Sequence, residues 1–161
     1  MLARCMGFHT FSVERAGQLE RVERYRYCSR EELVSLLRPH ESMQVVDLGS
    51  GTGFYADDVA PHVETVFAVD VQPAMHAYYQ EKGVPSNVSL VTAPTAGLPF
   101  ASDTMDAAFS VDTYHEYYSE SSLENLARVL RPGGVVVTVD WSANGEEMAG
   151  PPLSERFALS E

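Results

Sequence analysis

Two kinds of segment alternate along the chain. Short apolar runs rich in β-branched residues, each closing on glycine or an acid, read as buried parallel strands. Stretches with charged residues spaced among apolar ones read as helices. Residues 43–48 form the first apolar run and lead straight into glycines, and 54–61 follow as a helix. Residues 65–69 make a second strand, then 73–82 a helix with Pro73 in its first turn and Gly83 beyond its end. Residues 88–92 and 105–111 are the third and fourth strands, the latter less regular because Ala107 and Ala108 are small. Ser121-x-x-Glu124 predicts the cap of a helix running to Leu130. Pro132-Gly133-Gly134 then turns the chain into 135–141, the segment with the strongest strand pattern. Strands alternating with helices predict an α/β fold, a doubly wound and mainly parallel sheet with right-handed crossovers.

The flanks are less periodic. Ser29-Arg30-Glu31-Glu32 has the capping-box pattern and opens a short helix through Leu33, Val34, Leu36 and Leu37, ending before Pro39. Residues 1–28 mix aromatic and charged side chains without a period, and Arg21, Arg24 and Arg26 there read as a solvated face, with a site for an anionic acceptor as the alternative. Residues 142–161 hold Gly145, Gly150, Pro151 and Pro152 and no further strand pattern. The organisation expected is an N-terminal segment (1–28), a core (29–141) and a short tail (142–161). Segment 135–141 would then be an exposed apolar edge, covered by a second copy, by the tail folding back or by further chain, with a second copy or further chain expected.

A length of 161 residues with 45% hydrophobic content fits one domain. Twenty-three acids against eleven bases give a formal charge of −12, a surface that repels phosphate backbones and disfavours nucleic acid. No apolar run is long enough for a bilayer span, so the expected place is the cytoplasm, away from membranes. Cys5 and Cys28 form no CxxC pair and no metal-ligand spacing, so two ordinary thiols and no metal are expected. Lys82 is the only lysine. That bias resembles the proteins of salt-loving archaea, and salt screening would relieve the self-repulsion.

Chemistry concentrates where the first strand ends, at Val45-Val46-Asp47-Leu48-Gly49-Ser50-Gly51-Thr52-Gly53. Glycines at alternate positions let backbone approach a ligand closely, and the helix that follows offers unpaired N–H groups. Such a turn suits a dinucleotide phosphate or the carboxylate of an amino-acid-like ligand. The dinucleotide pattern needs a third glycine where Phe54 stands, and no P-loop lysine follows. Asp70 closes the second strand, where an acid in a doubly wound sheet lies beside the first turn and can accept from ribose hydroxyls. The competing role for it is to cap the helix that begins near Pro73.

The glycine run resembles motif I, D-x-G-x-G-x-G, of the class I S-adenosylmethionine-dependent methyltransferases; Asp47, Gly49, Gly51 and Gly53 match it. Leu98-Pro99-Phe100 with Met105–Phe109, and Arg128-Val129-Leu130-Arg131-Pro132-Gly133-Gly134, resemble further segments of the group that includes the quinone-biosynthesis methyltransferases. The resemblance implies a Rossmann-like sheet, apparently without that family's last two strands, and S-adenosylmethionine as cofactor. It places Asp47, Gly49, Ser50, Gly51, Thr52 and Gly53 around the amino-acid end and Asp70 on the ribose. Val71, Met75, Pro94, Thr95 and Val111 would border the adenine and methionine, Met75 being as well suited to core packing. Pro94 stands where the family usually has an acid for the adenine amino group, so backbone groups or Thr95 are expected to take that contact.

The segment after the fourth strand faces the transferred methyl in such a sheet. His115 and Glu116 are the candidate bases there, with Tyr114 and, after the fifth strand, Asp140 on the substrate side. A solvated polar loop is the competing reading. Tyr25 and Tyr27 fall in the region that forms a lid in this family, where packing is the alternative. The expected activity is methylation of a small molecule at O, N or C. The alternative is a cofactor-binding but inactive subunit that partners a catalytic chain.

Overall fold

The computed structural model describes residues 10–145 and 149–157. Helix α1 (Arg30–Leu37) precedes strand β1 (Gln44–Leu48), α2 (Phe54–Val59), β2 (Thr65–Asp70), α3 (Pro73–Lys82), β3 (Val88–Thr92) and β4 (Met105–Val111). The one-turn α4 (Tyr114–Tyr117), α5 (Glu120–Val129) and β5 (Leu130–Val139) complete the alternation. All five strands pair in parallel in the order β3-β2-β1-β4-β5. The order reverses between β1 and β4, so the connections after these strands diverge there and leave a crevice at their carboxyl ends.

Both sheet faces are covered, which is why the strands read as continuous apolar runs. Successive residues feed opposite cores. Val45 packs with Leu33, Leu37, Phe54 and Val59, while Val46 packs with Leu98, Met105, Leu126 and Val129. The capping box of α1 forms as expected, Glu32 N–H donating to Ser29 Oγ at 3.1 Å and Ser29 N–H to Glu32 Oε2 at 2.9 Å. Arg38 ends the helix in the left-handed region.

Several details differ from the sequence reading, among them β5, which runs Leu130–Val139 and takes in Pro132-Gly133-Gly134 where a turn before 135–141 was expected. Ser119, not Ser121, caps α5, its Oγ accepting from Ser122 N–H at 3.1 Å. Helix α2 stops at Val59 and a 3-10 turn carries Pro61. Residues before α1 are also ordered, as 3-10 helices Val13–Glu20 and Val22–Arg26.

The tail folds back across the carboxyl end of the sheet. Ser142 and Phe157 form a parallel bridge, and Arg156 lies over the Trp141 ring at 5.4 Å while donating to Pro151 O at 2.8 Å. Gly150, at φ +83°, sits so close that a Cβ would stand 2.4 Å from the indole. This fold-back does not run along β5, so Val135 and Val136 keep 43% and 45% of their surface. Cys28 is a buried free thiol; Cys5 lies outside the described residues. Among the described residues no helix is long and apolar enough to cross a membrane.

Candidate active site at the carboxyl edge

The glycine turn and the second-strand acid meet. Gly49 N–H and Ser50 N–H donate to Val69 O at 2.8 and 2.9 Å, and Gly51 N–H donates to Asp70 Oδ2 at 2.9 Å. The other carboxylate oxygen, Oδ1, accepts from Gln72 N–H at 2.8 Å, so Asp70 both borders the turn and holds the entry to α3. Gly49 and Gly53 adopt left-handed φ values of 70° and 80°, and the space beside each is full. A Cβ on Gly49 would stand 2.7 Å from Thr113 and one on Gly53 2.0 Å from the Tyr79 ring. Thr113, from the connection after β4, is fixed by donating to Leu48 O at 2.8 Å.

Several polar groups around the turn are buried, and one of them has no partner among the described residues. Ser50 Oγ is buried and unbonded. Asp47 is 4% exposed, and burial, reinforced by the Asp70 charge and opposed by Arg24, pushes its carboxyl well above the usual range. Thr52 is buried and donates to Glu20. A cradle of left-handed glycines, an orphaned hydroxyl and two carboxyl groups, Asp47 and Asp70, suits a ligand with an amino-acid end and a ribose.

On the β2–β3 side, Val71 is exposed while Met75 is 1% exposed and packed into the interior. Pro94 is exposed, and Thr95 is buried at the start of a short 3-10 turn. Beyond β4, Val111 is buried and Asp112 takes the left-handed region at φ 61°.

His115 and Asp140, separate candidates in the sequence, form a pair. His115 Nδ1 lies 2.9 Å from Asp140 Oδ1, and His115 N–H donates to Asp140 Oδ2 at 2.8 Å. Trp141 N–H donates to Asp140 Oδ1 at 2.7 Å. This network places hydrogen on Nδ1 in the neutral tautomer, and the ring's hydrogen bonds among the described residues all run through Nδ1. Burial pulls the imidazole pKa down, but the Asp140 bond and charge outweigh it and the net direction is up. Burial raises Glu116 to about 7, opposed by His115 and reinforced by Asp70 and Asp140.

Aromatic rings flank the pair. Tyr114 and Tyr118 have centroids 5.2 Å apart, and Phe157 from the tail lies 5.7 and 4.6 Å from them. Tyr27 stacks on Trp141 at 4.6 Å. Tyr25 stands away from this rim: its hydroxyl donates to Asp58 at 2.7 Å and its ring packs on Phe54 at 4.9 Å.

The N-terminal strap holds residues that the sequence reading missed. Arg24 is no solvated side chain; it is 17% exposed, lies over Phe54 and Tyr55 at 5.1 and 4.8 Å, and donates to Leu19 O at 3.0 Å. It also reaches Asp112 Oδ2 at 3.5 Å. Lys82 joins Glu20 at 3.2 Å to Asp57 at 2.8 Å. Leu19 would meet a Cβ on Gly51 at 3.2 Å, so the strap lies directly over the turn. An aperiodic sequence carried no signal for these contacts.

A parallel sheet in this order, with its glycine cradle and ribose-side acid at the switch point, defines the class I S-adenosylmethionine-dependent methyltransferase fold. The chain belongs to the methyltransferase domain family, which it matches over residues 46–138. It is 28% identical over 151 residues to an uncharacterized methyltransferase of Mycobacterium tuberculosis, covering 86% of this chain and 61% of that one. A ubiquinone/menaquinone biosynthesis C-methyltransferase of Geobacter sulfurreducens is 30% identical over 123 residues, or 70% of this chain and 47% of that one. This chain thus spans about half to three fifths of these curated relatives. A solved SAM-dependent methyltransferase from Aquifex aeolicus superposes with a TM-score of 0.83 at 28% identity, covering 92% of this chain and 82% of that one. A Haloferax volcanii methyltransferase, solved with its Trm112 activator, gives 0.67 at 24% identity over 76% of this chain and 56% of that one. S-adenosylmethionine is the cofactor of this fold.

Proposed function

We propose that the protein transfers a methyl group from S-adenosylmethionine to a small molecule held at the carboxyl edge between the glycine turn and the His115–Asp140 pair. The observation that carries this reading is the convergence of the glycine turn, Asp70 and that pair on one sheet edge. Asp47, Gly49, Ser50, Gly51, Thr52 and Gly53 would hold the amino-acid end, and Asp70 the ribose. Val71, Met75, Pro94, Thr95 and Val111 would line the remainder, with Thr95 or backbone groups serving the adenine amino group. Tyr27, Tyr114 and Asp140 belong to the acceptor side; Tyr25 supports the strap that encloses it.

S-adenosylmethionine supplies a methyl carbon already activated by a sulfonium, so the protein's work is to orient donor and acceptor and exclude water. His115, held in one tautomer by Asp140, accepts a proton where the acceptor must lose one. Glu116 is a second titratable group beside it.

The competing reading is an inactive, cofactor-binding subunit, favoured by the exposed Pro94 at the position where the family usually has an acid. Incubation with labelled S-adenosylmethionine and a metabolite extract separates the two. Labelled small-molecule product supports the enzyme; cofactor binding without product supports the inactive partner.

The apolar edge of β5, exposed at Val135 and Val136, is the surface we propose for a second copy of the chain. A monomeric mass in solution would reject it. We place the protein in the cytoplasm, in keeping with the free Cys28 thiol.

A further inference from the structure

The open edge of the sheet carries charge of opposite sign at its two ends. Resting on the reading that a second copy covers β5, we infer how it does so. The two β5 strands pair antiparallel about a two-fold axis normal to the sheet, and the two α1 helices lie side by side on one face.

An edge strand offers a row of unpaired N–H and C=O groups. Pro132 has no N–H to give, so a ladder to a partner runs through 135–139 and centres on Val137. Val135, Val137 and Val139 share the sheet face that α1 covers. Helix α1 runs opposite to β5 along this edge. Glu31, Glu32, Ser35 and Leu36 border a groove with Tyr27 and Val139 at the carboxyl end of β5. Arg38, after the last turn, borders a second groove with Gly134 and Val135 at the amino end.

The charged residues of the first groove are Glu31 and Glu32; those of the second are Arg38, Asp106 and Arg131, beside a His40 bonded to Ser42. Glu32 serves the helix cap, and Asp106 pairs with Arg131. The side chains of Glu31 and Arg38 bond no other group among the described residues. One end of the edge thus keeps an uncommitted carboxylate and the other an uncommitted guanidinium.

Symmetry decides what such an edge fits. A two-fold axis normal to the sheet sets each end against the opposite end of the partner, so Glu31 meets the partner's Arg38 twice per dimer. An axis along the strands would set like ends together and put the helices on opposite faces. In the antiparallel pairing Val135, 43% exposed, falls beside the partner's Val139 and enters the groove under the partner's Leu36. Leu36, 55% exposed on the edge side of α1, meets the partner's Leu36 near the axis. Apolar contact fills the centre and ion pairs close both rims. A chain of charge −12 meets its own copy with least repulsion where its surface carries both signs. The contact is isologous, so it uses both β5 edges and closes at two copies.

Sedimentation equilibrium of the full chain should give twice its 17.7 kDa. Glu31→Lys and Arg38→Glu should each weaken the dimer about tenfold, since each turns two attractive pairs into repulsive ones. An equal mixture of these two variants should return to within about threefold of wild-type affinity, because the pairs between unlike chains are attractive again. Leu36→Cys in a Cys5→Ser background should be joined to its own copy by a short bis-maleimide, while the parent chain, with Cys28 buried, should not. A mixture no tighter than the single variants, or no Leu36→Cys cross-link, in a dimer that Val136→Lys dissociates would overturn the antiparallel pairing and leave β5 as the interface. A monomer, which leaves the edge to another occupant, or a dimer untouched by Val136→Lys, would overturn the β5 reading and this arrangement with it. Should a charge variant not fold, by circular dichroism, the cross-link decides.

Discussion

Asp70 accepts backbone N–H groups from Gly51 and Gln72 and still borders the turn with lone pairs to spare for a ribose. Removing that carboxylate in Asp70→Ala should weaken S-adenosylmethionine binding by about 1–3 kcal/mol, read by calorimetry. An unchanged affinity would take Asp70 out of the site. Glu116 carries a pH signature. Its folded pKa of about 7 stands above the ordinary 4.5, so the folded state holds the proton more tightly than the unfolded chain. That contribution favours folding at low pH and is lost as pH rises from 4.5 through 7. Glu116→Gln should therefore make the fall in Tm across that window shallower than in wild type; parallel curves would contradict the shift. At this scale the sequence disclosed residues whose chemistry is carried by a local pattern, such as Asp47, the glycines and Asp70. It could not disclose Arg24, whose partner Asp112 is 88 positions away, nor join His115 to Asp140 across 25.

Elements were legible where periodicity and punctuation agreed. Helix α3 and strands β3 and β4 have the bounds the pattern implied, because Pro73, Gly83 and the flanking polar residues fix their ends. Helix α5 shows why caps are harder. Ser119, Ser121 and Ser122 crowd its start, and Ser119 takes the role because its extended backbone at φ −160° turns Oγ toward Ser122 N–H. Ser119→Ala should then cost about 0.5–2 kcal/mol in urea unfolding, while Ser121→Ala should stay within about 0.5 kcal/mol. Equal effects would return the cap to Ser121. The strap of residues 13–26 was not legible as structure, since its 3-10 segments are short and its order comes from contacts with Thr52, Lys82 and Asp112.

For the whole molecule, sheet class and parallel order followed from alternating strands and helices, and the site followed from the switch point they create. The way the tail folds back is not legible in the sequence because its packing depends on three separated residues, Gly150, Trp141 and Arg156, that no local pattern connects. The net charge of −12 works at this scale too. Thermal melting should rise between low salt and about 2 M KCl as repulsion is screened, and a flat response would remove the halophilic reading.

The account stands on the placement of S-adenosylmethionine against the glycine turn. Backbone amide NMR during titration with the cofactor tests it most directly. Shifts should concentrate at Gly49, Gly51, Gly53 and Val71 and spare Val135 and Val136 on the far edge. No change at the turn up to about 1 mM cofactor, or changes confined to another edge, would contradict it.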